Sequence, residues 1–122
     1  MTEDYRINYP GDIEQYRADA KRLGLDRITD HMNDTKFDKD YFIGRFKDCV
    51  KLCEERGTGL YCGEYGVISL ADNEAILRWY KDINAAFEEL GIGRAAWSYK
   101  EMDFGIGDPD KADIIDELVK YL

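Results

Sequence analysis

Glu64 closes a short apolar run, Leu60-Tyr61-Cys62-Gly63, and is followed by Tyr65-Gly66-Val67. Trp97 closes a second run, Arg94-Ala95-Ala96, 33 residues further on. A carboxylate at the end of a buried strand is costly unless it is paired or hydrogen-bonded, so Glu64 is the first residue to weigh for chemistry. The flanking glycines, Gly63 and Gly66, leave the backbone open to close approach by a ligand such as a sugar ring. A Trp at a strand end offers a flat platform for the apolar C–H faces of such a ring. The plain alternatives are a strand-end Glu that faces water and a Trp that belongs to the core.

Other residue types that do chemistry are sparse. Cys49, Cys53 and Cys62 are an odd number without the dense spacing of a disulfide framework. Cys49 and Cys53 are four apart on an expected helix, with no second ligand pair and no nearby His. They are read as buried thiols, not as a metal site. His31, the only histidine, lies in a polar stretch and reads as a surface residue. No metal and no cofactor is implied.

The elements that must position Glu64 and Trp97 follow from periodicity. Residues 1–11 read as irregular, with Tyr9-Pro10-Gly11 as a turn signal. Asp12 caps a helix from Ile13 to about Leu23, stopped by Gly24. Its apolar face (Ile13, Tyr16, Ala20, Leu23) is thin, so it should pack on a larger body. Residues 25–37 are polar, with a possible helical turn over 27–33. A helix over about 38–56 carries the stripe Phe42, Phe46, Cys49, Val50, Cys53 and ends at Gly57. Asp72 or Asn73 caps a helix that reaches Leu90, with Ile76, Trp79, Ile83, Ala86, Phe87 and Leu90 as its stripe and Gly91 as its stop. A last helix is expected over about 111–121, with Ile114, Ile115, Leu118, Val119 and Leu122 inward.

Helix, strand, helix, strand, helix is the order of an α/β protein with a parallel sheet. Both strands read as near-continuous apolar runs, which suits strands covered on both faces. A two-stranded parallel sheet is not an independent core, so the pattern demands strands that the 122 residues do not contain. The expectation is an incomplete structure that self-associates as a homo-oligomer.

Composition sets limits. The chain is 44% hydrophobic and 35% charged, as in an ordinary globular protein. The net charge of −9 argues against nucleic acid and anionic membrane as partners and leaves neutral sugars compatible. No run approaches the ~20 apolar residues of a membrane span. Nothing at the N-terminus resembles a signal peptide, so the chain as written reads as cytoplasmic, while a longer parent could be secreted.

Leu60-Tyr61-Cys62-Gly63-Glu64-Tyr65-Gly66-Val67 resembles the seventh strand of family 5 glycoside hydrolases, the cellulase and endoglucanase family. Asn73-Glu74-Ala75 and Arg78-Trp79-Tyr80-Lys81-Asp82 are similar to the helix that follows. Ala96-Trp97-Ser98-Tyr99-Lys100 and Met102-Asp103-Phe104-Gly105-Ile106 resemble the eighth strand and its loop. The likeness is strong over residues 59–108 and weaker over 1–58, where Asn8-Tyr9-Pro10-Gly11 is similar to the stretch after the sixth strand.

The resemblance implies the C-terminal part of a TIM (β/α)8 barrel. Residues 1–37 would be a helical insertion, and 38–122 would run from barrel helix six to helix eight. A whole barrel needs about 250 residues. Glu64 matches the nucleophile of a retaining enzyme acting on β-linked polysaccharide, and Trp97 matches the platform under the sugar at the cleavage point. Lys100 and Asp103 lie in the adjoining loop and could line the cleft. The family's acid/base is the Glu of an Asn-Glu-Pro motif on the fourth strand. Here Asn73-Glu74 is followed by Ala75 at a helix start and is a capping pair. The chain alone should therefore be inactive.

Two readings compete. One is a glycoside hydrolase portion completed by a parent or a partner chain. The other is a non-catalytic glycan-binding or structural module derived from such a barrel.

Overall fold

A computed structural model describes residues 6–25, 27, 29–30 and 32–122. His31 lies outside the described residues. In chain order the elements are β1 (Gly11–Asp12), α1 (Ile13–Arg22), β2 (Lys36–Phe37), α2 (Lys39–Glu55), β3 (Tyr61–Tyr65), α3 (Asn73–Leu90), β4 (Gly93–Ala96), a 3-10 turn (Pro109–Lys111) and α4 (Ile115–Leu118).

Local chemistry sets the helix ends. The Asp12 carboxylate accepts hydrogen bonds from the Glu14 and Gln15 amides at 2.8 and 3.2 Å, which starts α1. Asp38 accepts from the Tyr41 amide at 3.3 Å and starts α2. Gly91 closes α3 in the left-handed region, with φ 65°, and its amide reaches Glu88 O at 3.3 Å.

β3 and β4 pair in parallel, with Tyr61 opposite Gly93 and Cys62 opposite Arg94, as the element order predicts. The register shifts before Tyr65 meets Ala96. α3 is the crossover between them, and α2 packs beside it. Among the described residues there is no closed barrel, only this pair and the antiparallel pair β1–β2.

The core lies between the β3–β4 pair and the two long helices. Phe46 stacks on Phe87 at 5.3 Å, and Phe87 meets the edge of Tyr65 at 5.1 Å. Ile76, Tyr80, Ile83 and Phe87 are fully or nearly fully buried along α3. A second cluster, Ile13, Tyr16 and Met32, seats α1 against Phe37 and Tyr41. The thin face of α1 thus finds the larger body it needs.

Three expectations need correction, and one feature was unforeseen. The strands are covered on one face only: Tyr61 is 63% exposed, and Gly63 and Glu64 are exposed as well. Cys49 is exposed and Cys53 is half-buried, because the buried stripe of α2 centres on Phe42 and fades toward the helix C-terminus. The last helix is a single turn, with Ile114 and Leu118 buried but Val119 and Leu122 exposed. Pro109 begins a 3-10 turn there, and Asn73 ties Asp113 at 2.6 Å across the start of that segment. The β1–β2 ladder was not expected, since two-residue strands are too short to show a period.

Candidate functional site

Side chains alternate between the two faces of a regular strand, but the register shift between Cys62 and Tyr65 interrupts that alternation in β3. Tyr65, the last residue of β3, turns into the helix layer and donates a hydrogen bond to Asn84 Oδ1 at 2.8 Å. Arg94 Nε donates to the same oxygen. Burial raises the Tyr65 hydroxyl pKa, and the Asn84 bond and the Arg94 charge offset part of the rise. Cys62 and Tyr65 both pack toward the core, and Glu64 between them is exposed. Cys62 Sγ contacts the Glu64 carbonyl at 3.3 Å and steadies the strand end.

Trp97 follows β4 directly. Its amide donates to Tyr65 O at 2.8 Å, which carries the parallel pairing one step past the strand. Glu64 and Trp97 therefore occupy the same end of neighbouring strands. The Trp97 side chain is 41% exposed, so it is not a core residue. The Trp97–Ser98 peptide is cis.

Gly66 has a different reason from the expected one. A Cβ at this position would overlap the Trp97 carbonyl oxygen and lie 3.4 Å from Phe104 Cδ1. Gly66 makes room for the backbone at Trp97. Gly63, by contrast, has only Tyr61 Cε1 near its missing Cβ, at 3.9 Å, so its surroundings are open.

Lys100 and Asp103 are exposed on the loop after β4. The Lys100 ammonium lies 5.6 Å from the Tyr99 ring centroid, a cation–π contact. The Asp103 carbonyl accepts from the Ser69 amide at 2.6 Å and joins this loop to the one after β3. An apolar cavity of about 340 Å³ lies under this junction, with Gly66, Val67, Trp79 and Phe104 among its walls. Among the described residues no three His, Cys, Asp or Glu side chains converge as metal ligands do.

The sequence assigned no role to Tyr99, Ser98 or Asp108, which shape the loop around Trp97. The run of glycines at 105 and 107 was the available signal, since each lies against another residue of the loop.

The chain is 34% identical over its full 122 residues to endoglucanase C of Acetivibrio thermocellus and to endoglucanase C307 of Clostridium sp. (strain F1). The chain is similar to endoglucanase C along its whole length. The likeness to family 5 glycoside hydrolases read from residues 59–108 is borne out, and it runs through residues 1–58 as well. The chain spans 36% of the length of these curated relatives. Cellodextrinase A of Ruminococcus flavefaciens is 43% identical over 61 residues, half of this chain and 18% of that protein. No protein-family model matches.

Solved structures agree on the fold. An endoglucanase superposes with a TM-score of 0.60 at 24% identity, covering 68% of this chain and 26% of that one. A hyperthermophilic endo-β-1,4-glucanase, solved in complex with substrate, gives 0.54 at 27% identity, over 58% of this chain and 23% of that one. The likeness is thus to cellulases and glycoside hydrolases.

Proposed function

We propose that this chain is the seventh and eighth β/α units of an endoglucanase-type (β/α)8 barrel, with Glu64 in the place of the nucleophile and Trp97 as the sugar platform. The observation that carries this reading is the Trp97 N–H···O=C Tyr65 bond, because it sets the strand end bearing Glu64 against the residue after β4. Lys100 and Asp103 sit on the loop beside them and supply polar contacts to sugar hydroxyls.

In a retaining mechanism the Glu64 carboxylate attacks the anomeric carbon. The C–O bond to the leaving sugar breaks as an acid protonates its oxygen, and water then hydrolyses the glycosyl–Glu64 ester. That acid must stand about 5–5.5 Å from the nucleophile. The sequence has no Asn-Glu-Pro motif to supply it. The chain then binds a β-linked glucan but turns it over only when the remainder of a barrel, on a longer parent or a partner chain, brings the second carboxyl group.

The exposure of both Glu64 and Trp97 also favours a second reading, a glycan-binding module without catalysis. Calorimetry with cellopentaose, together with a reducing-sugar assay, separates them. Binding that is lost in Trp97→Ala supports the glycan site, and no binding by the wild-type chain overturns it. Hydrolysis that appears on mixing with strands one to six of a related barrel, and is absent with Glu64→Gln, supports the enzymatic reading. Binding without hydrolysis in that mixture supports the module.

A further inference from the structure

Glu101, Met102 and Asp103, consecutive in the loop after β4, have φ angles of 62°, 57° and 61°. None is glycine, and residues with a Cβ enter this left-handed region rarely and singly. Such strain persists only where the surroundings over-determine it. The strained turn leaves Met102 67% exposed and Tyr99 72% exposed, while Phe104 and Ile106 just after it are half-buried.

The contacts that hold the turn converge on two side chains. The Glu101 amide donates to both oxygens of the Asp108 carboxylate, at 3.0 and 3.2 Å. Ser98 Oγ donates to the carbonyls of Lys100 and Glu101, at 3.2 and 2.8 Å. Around them the Ile106 amide reaches Ser98 O at 3.0 Å, and the Gly107 amide reaches Tyr99 O at 2.8 Å. Both glycines are fitted to this arrangement. A Cβ at 105 would overlap the Asp108 carboxylate, and one at 107 would stand 3.0 Å from the Tyr99 ring. Asp108 is itself fixed, because its carbonyl accepts the Lys111 amide at 2.9 Å in the 3-10 turn.

We propose that Asp108, with Ser98, is a positioning residue that latches the 98–107 loop in its left-handed form and so presents Tyr99 as a second sugar-stacking surface on the loop that follows Trp97. The stacking half rests on the glycan reading above; the latch rests on the loop geometry alone. Tyr99 is suited to the role because Gly107 on one side and the Lys100 ammonium at 5.6 Å hold its ring while leaving it mostly in water. A ring fixed before binding loses little freedom when a sugar stacks on it.

The test uses the full chain, with amide exchange read residue by residue and cellopentaose affinity read by calorimetry. Asp108→Ala should speed exchange of the Glu101 amide and its loop neighbours by about tenfold or more while the α2 and α3 amides stay protected. It should also weaken cellopentaose by about tenfold. Asp108→Asn, whose amide oxygen still accepts from Glu101, should restore most of both. Tyr99→Ala should weaken binding to a similar degree with loop exchange unchanged. Gly105→Ala, which displaces the carboxylate without altering charge, should loosen the loop as Asp108→Ala does, and it decides the matter if that variant fails to fold. Glu101 exchange in both variants equal to wild type overturns the latch. Wild-type affinity in Tyr99→Ala overturns the stacking role. If the wild-type chain itself does not bind, the glycan reading falls and takes the stacking role with it, while the exchange rates still decide the latch.

Discussion

The amide of Trp97 donates a 2.8 Å hydrogen bond to the carbonyl of Tyr65, and the Trp97 carbonyl occupies the space that a side chain at Gly66 would need. Two loops thereby become one unit. Whatever moves residue 66 must move Trp97, and the Glu64 strand end is joined to Trp97 by backbone, not by adjustable side chains.

Gly66→Ala should accordingly destabilise the chain by about 1–3 kcal/mol, the usual cost of inserting a methyl group where none fits. The Trp97 emission maximum should shift along with it. Gly44→Ala is the matched control. Gly44 lies within α2 with nothing near its missing Cβ, so alanine should stabilise by about 0.5–1 kcal/mol. Urea unfolding followed by fluorescence measures both. Equal effects at the two positions would dissolve the claim that residues 66 and 97 are packed together.

Hydrolysis by the isolated chain should be negligible. General acid catalysis supplies about 10²–10⁴ of a glycosidase rate, and attack by a carboxylate on an unactivated sugar does not proceed without it. An aryl glucoside with a good leaving group needs less protonation and is the more sensitive substrate. Turnover of soluble β-glucan by pure protein, abolished by Glu64→Gln, would show that another carboxylate here takes the acid's place.

Stability should fall as the pH rises above about 10, the ordinary tyrosine value. Burial, aided by the Asp12 charge, pushes the Tyr16 hydroxyl up to about 12. Burial likewise raises Tyr65 and Tyr80, and burial followed by the Asp82 hydrogen bond raises Tyr9. Between pH 10 and the folded values, the unfolded chain has released these protons and the folded chain has kept them. The unfolded state then binds fewer protons, so the stability present below pH 10 is lost as pH climbs. Urea midpoints at pH 8, 10 and 11 should decline in that order, and Tyr16→Phe should flatten the decline. A midpoint that holds level from pH 8 to 11 would rule out the linkage.

Much of this was legible in the residues because the signals were long or chemically specific. Eighteen residues of α3 repeat an apolar stripe, and the glycine at its end stops it. Tyr80 and Asn84 escaped that stripe because they extend it sideways, buried together with Ile76 and Phe87. The open face of β3 was not legible. Tyr61 is apolar enough to read as core, yet it is 63% exposed, with no third strand beside β3 and β4 among the described residues. The loop over 98–107 was opaque for a different reason: left-handed φ angles at Glu101, Met102 and Asp103 contradict local preference, and they are held by contacts from residues distant from the turn's own pattern, such as Asp108 and Ser69. Cys49 shows the reverse error, since a place on the helical stripe did not secure a neighbour to cover it.

Self-association is the last expected outcome. The β3–β4 pair has no third strand beside it among the described residues, so its outer edges carry unpaired N–H and C=O groups. One face of the pair is open, with Tyr61 and Trp97 exposed on it or at its end. An apolar hollow of about 490 Å³ lies between the α1 segment and α2, with Tyr16, Met32, Phe42 and Phe46 among its walls. Surfaces of this kind are normally covered, and a two-fold pair of copies is the commonest way. An interface that covers the open edges, the open face and this hollow together should exceed the ~1,600 Å² of a standard complex. Light scattering at micromolar concentration should then give twice the 14.2 kDa of one chain. Tyr61→Lys should return the monomer mass without loss of helix content, because Tyr61 stands outside the core and a lysine there blunts both the edge and the open face. A wild-type mass of one chain, with a single cooperative thermal transition, would show that the two long helices and one parallel pair close a sufficient core by themselves.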